Sequence, residues 1–289
     1  MQPFSHVGLI GKYNSPDIAG SLLLLTEFLQ QRNLKVTIEE ETARYSNLPD
    51  FPVQALSEIG KAVDLVIILA GDGTMLNIAR SLIDHDVAMV GVNQGRLGFL
   101  TDVPLAQMLP ALADILDGKF TFETRFLLNT EVSRDQTRVF SACALNDVVV
   151  SKGNTGRLIE FEVSVDTQFV YKQRADGIVV ATPTGSTAYA LSAGGPILHP
   201  SLEAFVLVPI CPHTLSARPI AVNSSSTVEV LLTQANDARV HFDGQTHFDL
   251  SVGDRVRVAR STKTIRLLHP LDHSYYDTLR QKLKWGEQL

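Results

Sequence analysis

Val63-Asp64-Leu65-Val66-Ile67-Ile68-Leu69-Ala70-Gly71-Asp72-Gly73-Thr74-Met75-Leu76 is the stretch on which the fold turns. Its apolar residues 65–70, uncharged and rich in β-branched side chains, read as a strand buried on both faces of a parallel sheet. The run ends in an acid bracketed by two glycines. Lacking a Cβ, Gly71 and Gly73 open backbone angles closed to other residues and let a second molecule approach the main chain. Asp72 would then stand at the carboxyl end of a central strand, where open α/β sheets bind ligands. Residues 74–82 have helical spacing, so the same turn presents a helix N-terminus suited to an anion. Asp-Gly pairs are also ordinary turn formers, and three more occur, at Asp117, Asp176 and Asp243. The strand before and the helix after are what single out this one.

Outward from this stretch, residues 6–11 form a short strand and 15–29 a helix with an apolar face of Ile18, Leu22, Leu25 and Leu29. Residues 34–38 make the next strand, 39–52 a polar loop containing Pro49 and Pro52, and 53–61 a short helix. After the helix at Thr74, residues 87–92 form another buried strand. It runs into a glycine-rich loop, 93–101, which would lie beside Asp72. Strand and helix alternate throughout, which predicts a parallel, doubly wound sheet over residues 1–119. From Phe120 the texture changes. Segments of β-branched or alternating residues follow at 125–133, 137–150, 158–165, 168–173 and 177–181. More lie at 205–210, 227–233, 238–242, 255–259 and 264–268, so residues 120–269 read as an antiparallel, β-rich second domain. A helix over 275–284 closes the sequence.

With 289 residues, 45% of them hydrophobic and 19% charged, the chain can build a sizeable core in one or two domains. A net charge of −6 argues against duplex nucleic acid or an anionic membrane as partner. Cys143 and Cys211 stand apart without metal-ligand spacing, which fits two buried thiols in a reducing compartment. The first residues lack a basic region followed by an apolar run, and no stretch approaches the roughly 18 apolar residues of a membrane span. The expected location is the cytoplasm.

A second dense region runs from Arg174 to Tyr189. Thr182, Thr184, Ser186 and Thr187 place hydroxyls close together, with Pro183 and Gly185 stiffening and bending the chain between them. Such a loop can offer hydroxyl and main-chain donors to a phosphate or a base edge, or can serve as a strand cap with threonines chosen for turns. Leu145-Asn146-Asp147 precedes an apolar strand. Its amide and carboxylate can read the hydroxyls and amines of a nucleoside, or form an Asx turn. Asp243-Gly244-Gln245 reads as a hairpin turn. Gly8-Leu9-Ile10-Gly11-Lys12-Tyr13 lacks the spacing and hydroxyl of a P-loop. No dinucleotide fingerprint follows a strand, which weighs against hydride transfer, and the histidines show no paired ligand spacing, which weighs against a zinc hydrolase.

Gly71-Asp72-Gly73-Thr74, Leu145-Asn146-Asp147, Asp176-Gly177 and the run from Thr182 to Tyr189 resemble, in this order and spacing, the NAD kinase family. Residues 191–198 and 212–219 are similar to its bacterial members. The acid-glycine core alone is shared with diacylglycerol and sphingosine kinases; the joint pattern is specific. The resemblance implies an α/β amino-terminal domain, a β-rich carboxyl-terminal domain, residues 270–289 returning to the first, and NAD bound between the two. It implies transfer of the γ-phosphoryl of ATP to the 2′-hydroxyl of the adenosine ribose of NAD, with Asp72 as base. It further implies an NAD site of Asp72, Gly73, Asn146, Asp147, Arg157, Arg174, Asp176, Thr187, Ala188, Tyr189, Ala190, Leu191, Ser192 and Gln245. Ala70 stands where the family's first glycine would be, and Asp147 where glutamate is common.

The chemistry agrees with that role. A ribose hydroxyl is a weak nucleophile at neutral pH, and a carboxylate within about 3 Å can take its proton during attack. Magnesium carried mainly by ATP oxygens would neutralise phosphate charge without a metal motif in the sequence, so its protein ligands are unknown at this stage. Main-chain N–H groups at Gly71, Gly73 and the helix start are candidates for the donor phosphates. Two other readings exist: a lipid or other alcohol kinase with the same core, and a non-catalytic NAD-binding regulator. A homo-oligomer, dimer or tetramer, is expected from the family likeness and from strand edges that need covering.

Overall fold

The computed structural model describes residues 4–12, 18–46, 51–154 and 156–286. The chain divides into two compact units, Met1–Thr124 with Ile265–Leu289, and Arg125–Thr264.

The first unit carries β1 (His6–Gly11), α1 (Ala19–Gln31), β2 (Lys35–Glu39), α2 (Glu40–Ser46), β3 (Val53–Gln54), α3 (Leu56–Ala62), β4 (Leu65–Leu69), α4 (Asp72–Ser81), β5 (Ala88–Asn93), β6 (Val103–Pro104) and α5 (Met108–Leu116). Its strands run β5-β4-β1-β2-β3, every adjacent pair parallel, with β6 also parallel to β5. All five residues of β4 are buried, as the opening run requires. Val7, Leu9, Leu65, Ile67, Val90 and Val92 pack with Leu22, Leu25 and Leu29 of α1 and with Leu112 and Ile115 of α5. On the other face Gly8 leaves room for Ile59 of α3, where a Cβ would come within 3.1 Å. The doubly wound sheet is therefore as expected.

Boundaries differ where tertiary contacts override composition. The segment read as a loop from residue 39 forms α2 instead, and residues 47–50 lie outside the described residues. Glu39 explains the helix: its buried carboxylate accepts the Glu41 and Thr42 N–H groups, so the first turn is capped. The expected helix at 53 begins with the strand pair β3 and becomes α3 only at Leu56. Helix α5 had no counterpart in the sequence pattern, and residues 15–17 of the expected first helix lie outside the described residues.

Strand β7 (Phe120–Arg134) leads into the second unit, which continues with β8 (Thr137–Ala144), β9 (Asp147–Lys152), β10 (Ile159–Val165), β11 (Gln168–Ala175), β12 (Gly177–Ala181), α6 (Tyr189–Ser192), β13 (Ala204–Ile210), β14 (Ile220–Asn223), β15 (Val228–Gln234), β16 (Ala238–Phe242) and β17 (Thr246–Leu250). Strand β18 (Arg255–Pro270) leads back, and α7 (Tyr275–Leu283) follows. A six-stranded sheet, β14-β13-β12-β9-β16-β17, is antiparallel throughout. Its Val148, Val150, Ile178, Val180, Phe205 and Phe242 pack against Phe161, Val163, Val230, Leu232, Val256 and Val258 of a second antiparallel layer containing β10, β15 and β18. This is the expected β-rich fold. The boundaries differ: 255–259 and 264–268 are one strand, β18, whereas 137–150 divides into β8 and β9, and β14 and β17 had no segment of their own in the sequence reading.

The cysteines depart from the expectation of two buried thiols: Cys211 is exposed and Cys143 half-buried. No helix among the described residues is long and apolar enough to cross a membrane.

Candidate active site

In the first unit β4 delivers the chain to Ala70, which is fully buried and whose N–H bonds the Val92 carbonyl at 3.0 Å. The ladder thus continues through the position where the resemblance leads one to expect glycine, and a methyl group fits. Gly71 is extended (φ −92°, ψ 176°) and Gly73 lies within α4, so neither uses a left-handed conformation. This corrects the backbone-angle reason for the glycines. A Cβ on Gly71 would meet nothing within 4 Å, so the missing side chain leaves space for another molecule and is not a backbone requirement.

Asp72 opens α4. Its Oδ2 accepts the Phe99 N–H at 2.8 Å, and its Oδ1 accepts the Leu100 N–H at 3.0 Å and the Thr101 hydroxyl at 3.1 Å. The glycine-rich loop after β5 does lie beside Asp72, and it grips the carboxylate. Gly98 makes this possible, since a Cβ there would stand 2.1 Å from Asp72 Oδ1. A carboxylate offers about four acceptor positions, so three donors leave one, on Oδ2. Next to the start of α4 is a cavity of about 490 Å³ lined by Lys12, Gly71, Gly73, Thr74, Gln94, Gly95 and Arg96. Two cations and a helix N-terminus make its chemistry that of a polyanion site.

In the second unit the expected hairpin is present: β16 and β17 pair through Phe242 and Thr246, and Asp243 and Gly244 are left-handed (φ 52° and 63°). Asp243 also does something the sequence did not reveal. Its carboxylate accepts the N–H groups of Leu145 (3.0 Å), Asn146 (2.7 Å) and Asp147 (3.2 Å) and so fixes the turn that enters β9. Asn146, Asp147, Ala188 and Tyr189 line one cavity of about 420 Å³, together with Val149, Ser151, His241, Asp243 and Gly244. The last five were missed. The outward phase of His241 between Val240 and Phe242 was readable, but its partner across the sheet, Val149, was not.

The hydroxyl-rich loop is organised differently from the ligand-donor expectation. Thr182 donates to the Leu145 carbonyl at 2.6 Å, Ser186 to the Pro183 carbonyl at 2.6 Å and Thr187 to the Thr184 carbonyl at 3.1 Å, while Thr184 accepts from buried Arg125. The hydroxyls hold the loop in shape. Ala190 is buried with Val179, Leu198, Val206 and Val208 on the outer face of the six-stranded sheet. Leu191 is half-buried and Ser192 exposed. Arg157, Arg174 and Gln245 are exposed, and Asp176 pairs with Lys152 at 2.7 Å. Burial raises the Tyr189 phenol, helped by Cys211, Asp176 and Asp147 nearby.

Asp147 is buried, and desolvation, with the Asp243 charge adding to it, pushes its carboxyl up to about 7. Above the ordinary carboxylate range and below about pH 7 the folded chain holds a proton there that the unfolded chain does not, so stability falls as pH rises through that window. Asp147→Asn removes the titration. Its thermal midpoint relative to the wild type should rise between pH 5 and pH 8, and a difference independent of pH would reject the assignment.

An α/β unit with an acid at a glycine turn beside a cationic cavity, followed by an antiparallel unit with a polar cavity, defines a two-unit class of phosphate-handling protein. Residues 7–120 match the ATP-NAD kinase N-terminal domain and residues 145–269 the ATP-NAD kinase C-terminal domain. An NAD kinase of Thiobacillus denitrificans is 56% identical over 99% of both chains, and one of Aromatoleum aromaticum 54% identical over 98% of this chain and 95% of that one. The crystal structure of an NAD kinase from Archaeoglobus fulgidus in complex with ATP superposes with a TM-score of 0.75 at 26% identity, covering 96% of this chain and 98% of that one. A yeast NADH kinase complexed with NADH has the same fold (TM-score 0.90, 24% identity, 100% of this chain and 90% of that one). The chain belongs to the NAD kinase family.

Proposed function

We infer that the chain is an ATP-dependent NAD kinase, transferring the γ-phosphoryl group of ATP to the 2′-hydroxyl of the adenosine ribose of NAD to give NADP and ADP. Family membership supports the reaction. The observation that carries the assignment of roles is the carboxylate of Asp72, fixed by three donors with one acceptor position left, at a helix start that also walls a cavity lined by Lys12 and Arg96. Asp72 Oδ2 takes the proton of the 2′-hydroxyl as its oxygen bonds to the γ-phosphorus, while the bond from that phosphorus to the β,γ-bridging oxygen breaks and ADP leaves. Lys12, Arg96 and the first turn of α4 hold the phosphates of ATP. Asn146, Asp147 and Tyr189 hold the nucleoside portion of NAD, with Gly73, Arg157, Arg174, Asp176, Thr187, Ala188, Ala190, Leu191, Ser192 and Gln245 completing that site.

A divalent cation, with Mg²⁺ the natural choice, fits as a passenger on ATP. Among the described residues lining the cationic cavity none is a carboxylate, and the Thr74 hydroxyl and the Gln94 amide offer neutral oxygens, enough to complete a shell otherwise made by phosphate and water. Bound there, the ion would neutralise phosphate charge. The chain works in the cytoplasm as a homo-oligomer, a reading supported by apolar Phe169 and Val170 exposed on edge strand β11. Light scattering gives the number of subunits.

The test is incubation of purified protein with ATP, Mg²⁺ and NAD, NADH or diacylglycerol, followed by separation of products. NADP formation dependent on both ATP and Mg²⁺ is expected. Phosphorylated lipid would favour the alcohol-kinase alternative, and NAD binding without product a regulator.

A further inference from the structure

The histidines, read as lacking paired spacing, contain one pair that converges: His269 at the end of β18 and His273 just before α7. His269 Nδ1 lies 2.9 Å and His273 Nδ1 2.8 Å from the same oxygen of Asp102, and His269 Nε2 lies 3.6 Å from Glu123. The side chains of Asp102 and His269 are 5% and 2% exposed, which makes this a buried charge network. Burial raises the Asp102 carboxyl and lowers the His269 imidazolium, but their mutual hydrogen bond, joined by His273 and Glu123, outweighs it and holds them at about 2 and about 9. The trio has the composition of a metal centre, and its ligand atoms all lie within 4.8 Å of one another. The imidazoles stack with centroids 4.3 Å apart and planes 17° from parallel, and both turn Nδ1 toward the one Asp102 oxygen.

Asp102 directly follows the residues whose Phe99 and Leu100 amides and Thr101 hydroxyl hold Asp72. Lys282 of α7 lies over the Phe99 ring at 5.4 Å, a second tie from the same carboxyl-terminal segment. We propose that Asp102, His269 and His273 form a clasp that presses residues 98–101 onto Asp72, making His273 a positioning residue for the phosphoryl transfer. This rests on the base role of Asp72 given above. The clasp acts by removing conformers in which the loop lifts and the carboxylate turns away. Binding of NAD, assigned apart from Asp72 and Gly73 to residues of the second unit, does not depend on it.

The test uses the full chain and two substitutions. His273→Phe keeps the stack on His269 and deletes the donor, whereas His273→Asn returns an N–H near the position of Nδ1. In His273→Phe the exchange of the Phe99 and Leu100 amides with deuterium accelerates about tenfold and kcat falls about tenfold, with KM for NAD and the thermal midpoint little changed. His273→Asn restores both quantities to within about twofold of wild type. Should His273→Phe fail to fold, Asp102→Asn is read by the same exchange measurement with the same expectation. Unchanged amide exchange and kcat in the folded variant overturn the clasp. An active Asp72→Asn would instead overturn the base assignment, while the amide exchange rates would still decide the clasp separately.

Discussion

Asp72→Asn is expected to lower kcat for NADP formation by about a hundredfold or more while leaving the fold and NAD binding intact. The substitution keeps the side chain's size and removes its capacity to take a proton. Its effect on the loop can be worked out from the donors present. With the amide oxygen in the place of Oδ1, asparagine still accepts the Leu100 N–H and the Thr101 hydroxyl, and only its NH₂ opposes the Phe99 N–H. The flipped amide would oppose two donors and is disfavoured. One lost hydrogen bond at a half-buried site is worth about 1 kcal/mol, too little to unfold a domain of this size. The loss should therefore appear in kcat, with the KM for NAD within a few-fold of wild type. Steady-state rates at saturating ATP, measured beside the thermal midpoint, decide the matter. A well-folded variant with near-normal kcat removes Asp72 from the role of base.

The parts of the fold visible in the sequence were those written in local periodicity. The run 65–70 marks a fully buried strand because no polar residue interrupts it, and Asp243-Gly244 marks a hairpin because two successive left-handed residues are hard to build otherwise. What stayed hidden depends on partners distant in the chain. The three donors to Asp72 lie 27 to 29 residues away and two are main-chain amides, which no side-chain pattern announces. The grip of Asp243 on the Asn146 turn spans 96 to 98 residues, so a hairpin residue doubles as the organiser of a cavity without any local sign. Glu39 misled for a related reason: an acid at the head of a polar segment looks like loop until its carboxylate caps the amides that follow. Thr182, Thr184 and Ser186 were legible as a special loop, but composition could not say that their hydroxyls bond inward.

Gly185→Ala should be the most damaging single methyl group in the second unit. A Cβ at residue 185 would stand 2.1 Å from the Asn146 carbonyl oxygen, 2.4 Å from its carbon and 2.7 Å from its Cα. All three are main-chain atoms, so no rotamer change relieves the collision. The Asn146 backbone cannot retreat easily, because its N–H is held by Asp243, its carbonyl accepts the Thr182 N–H, and the neighbouring Leu145 carbonyl accepts the Thr182 hydroxyl. Overpacking against a pinned backbone costs about 1–3 kcal/mol or more, and it displaces two of the residues assigned to NAD, Asn146 and Asp147. A clear drop in thermal midpoint together with a KM for NAD raised about tenfold or more is the expected result. Gly71→Ala supplies the contrast: with open space around its Cβ position and φ −92°, its stability should stay within about 0.5 kcal/mol of wild type, whatever happens to activity. If Gly185→Ala matched the wild type in both midpoint and KM, the close packing of the 182–187 loop on the Asn146 turn could not be what shapes the NAD site.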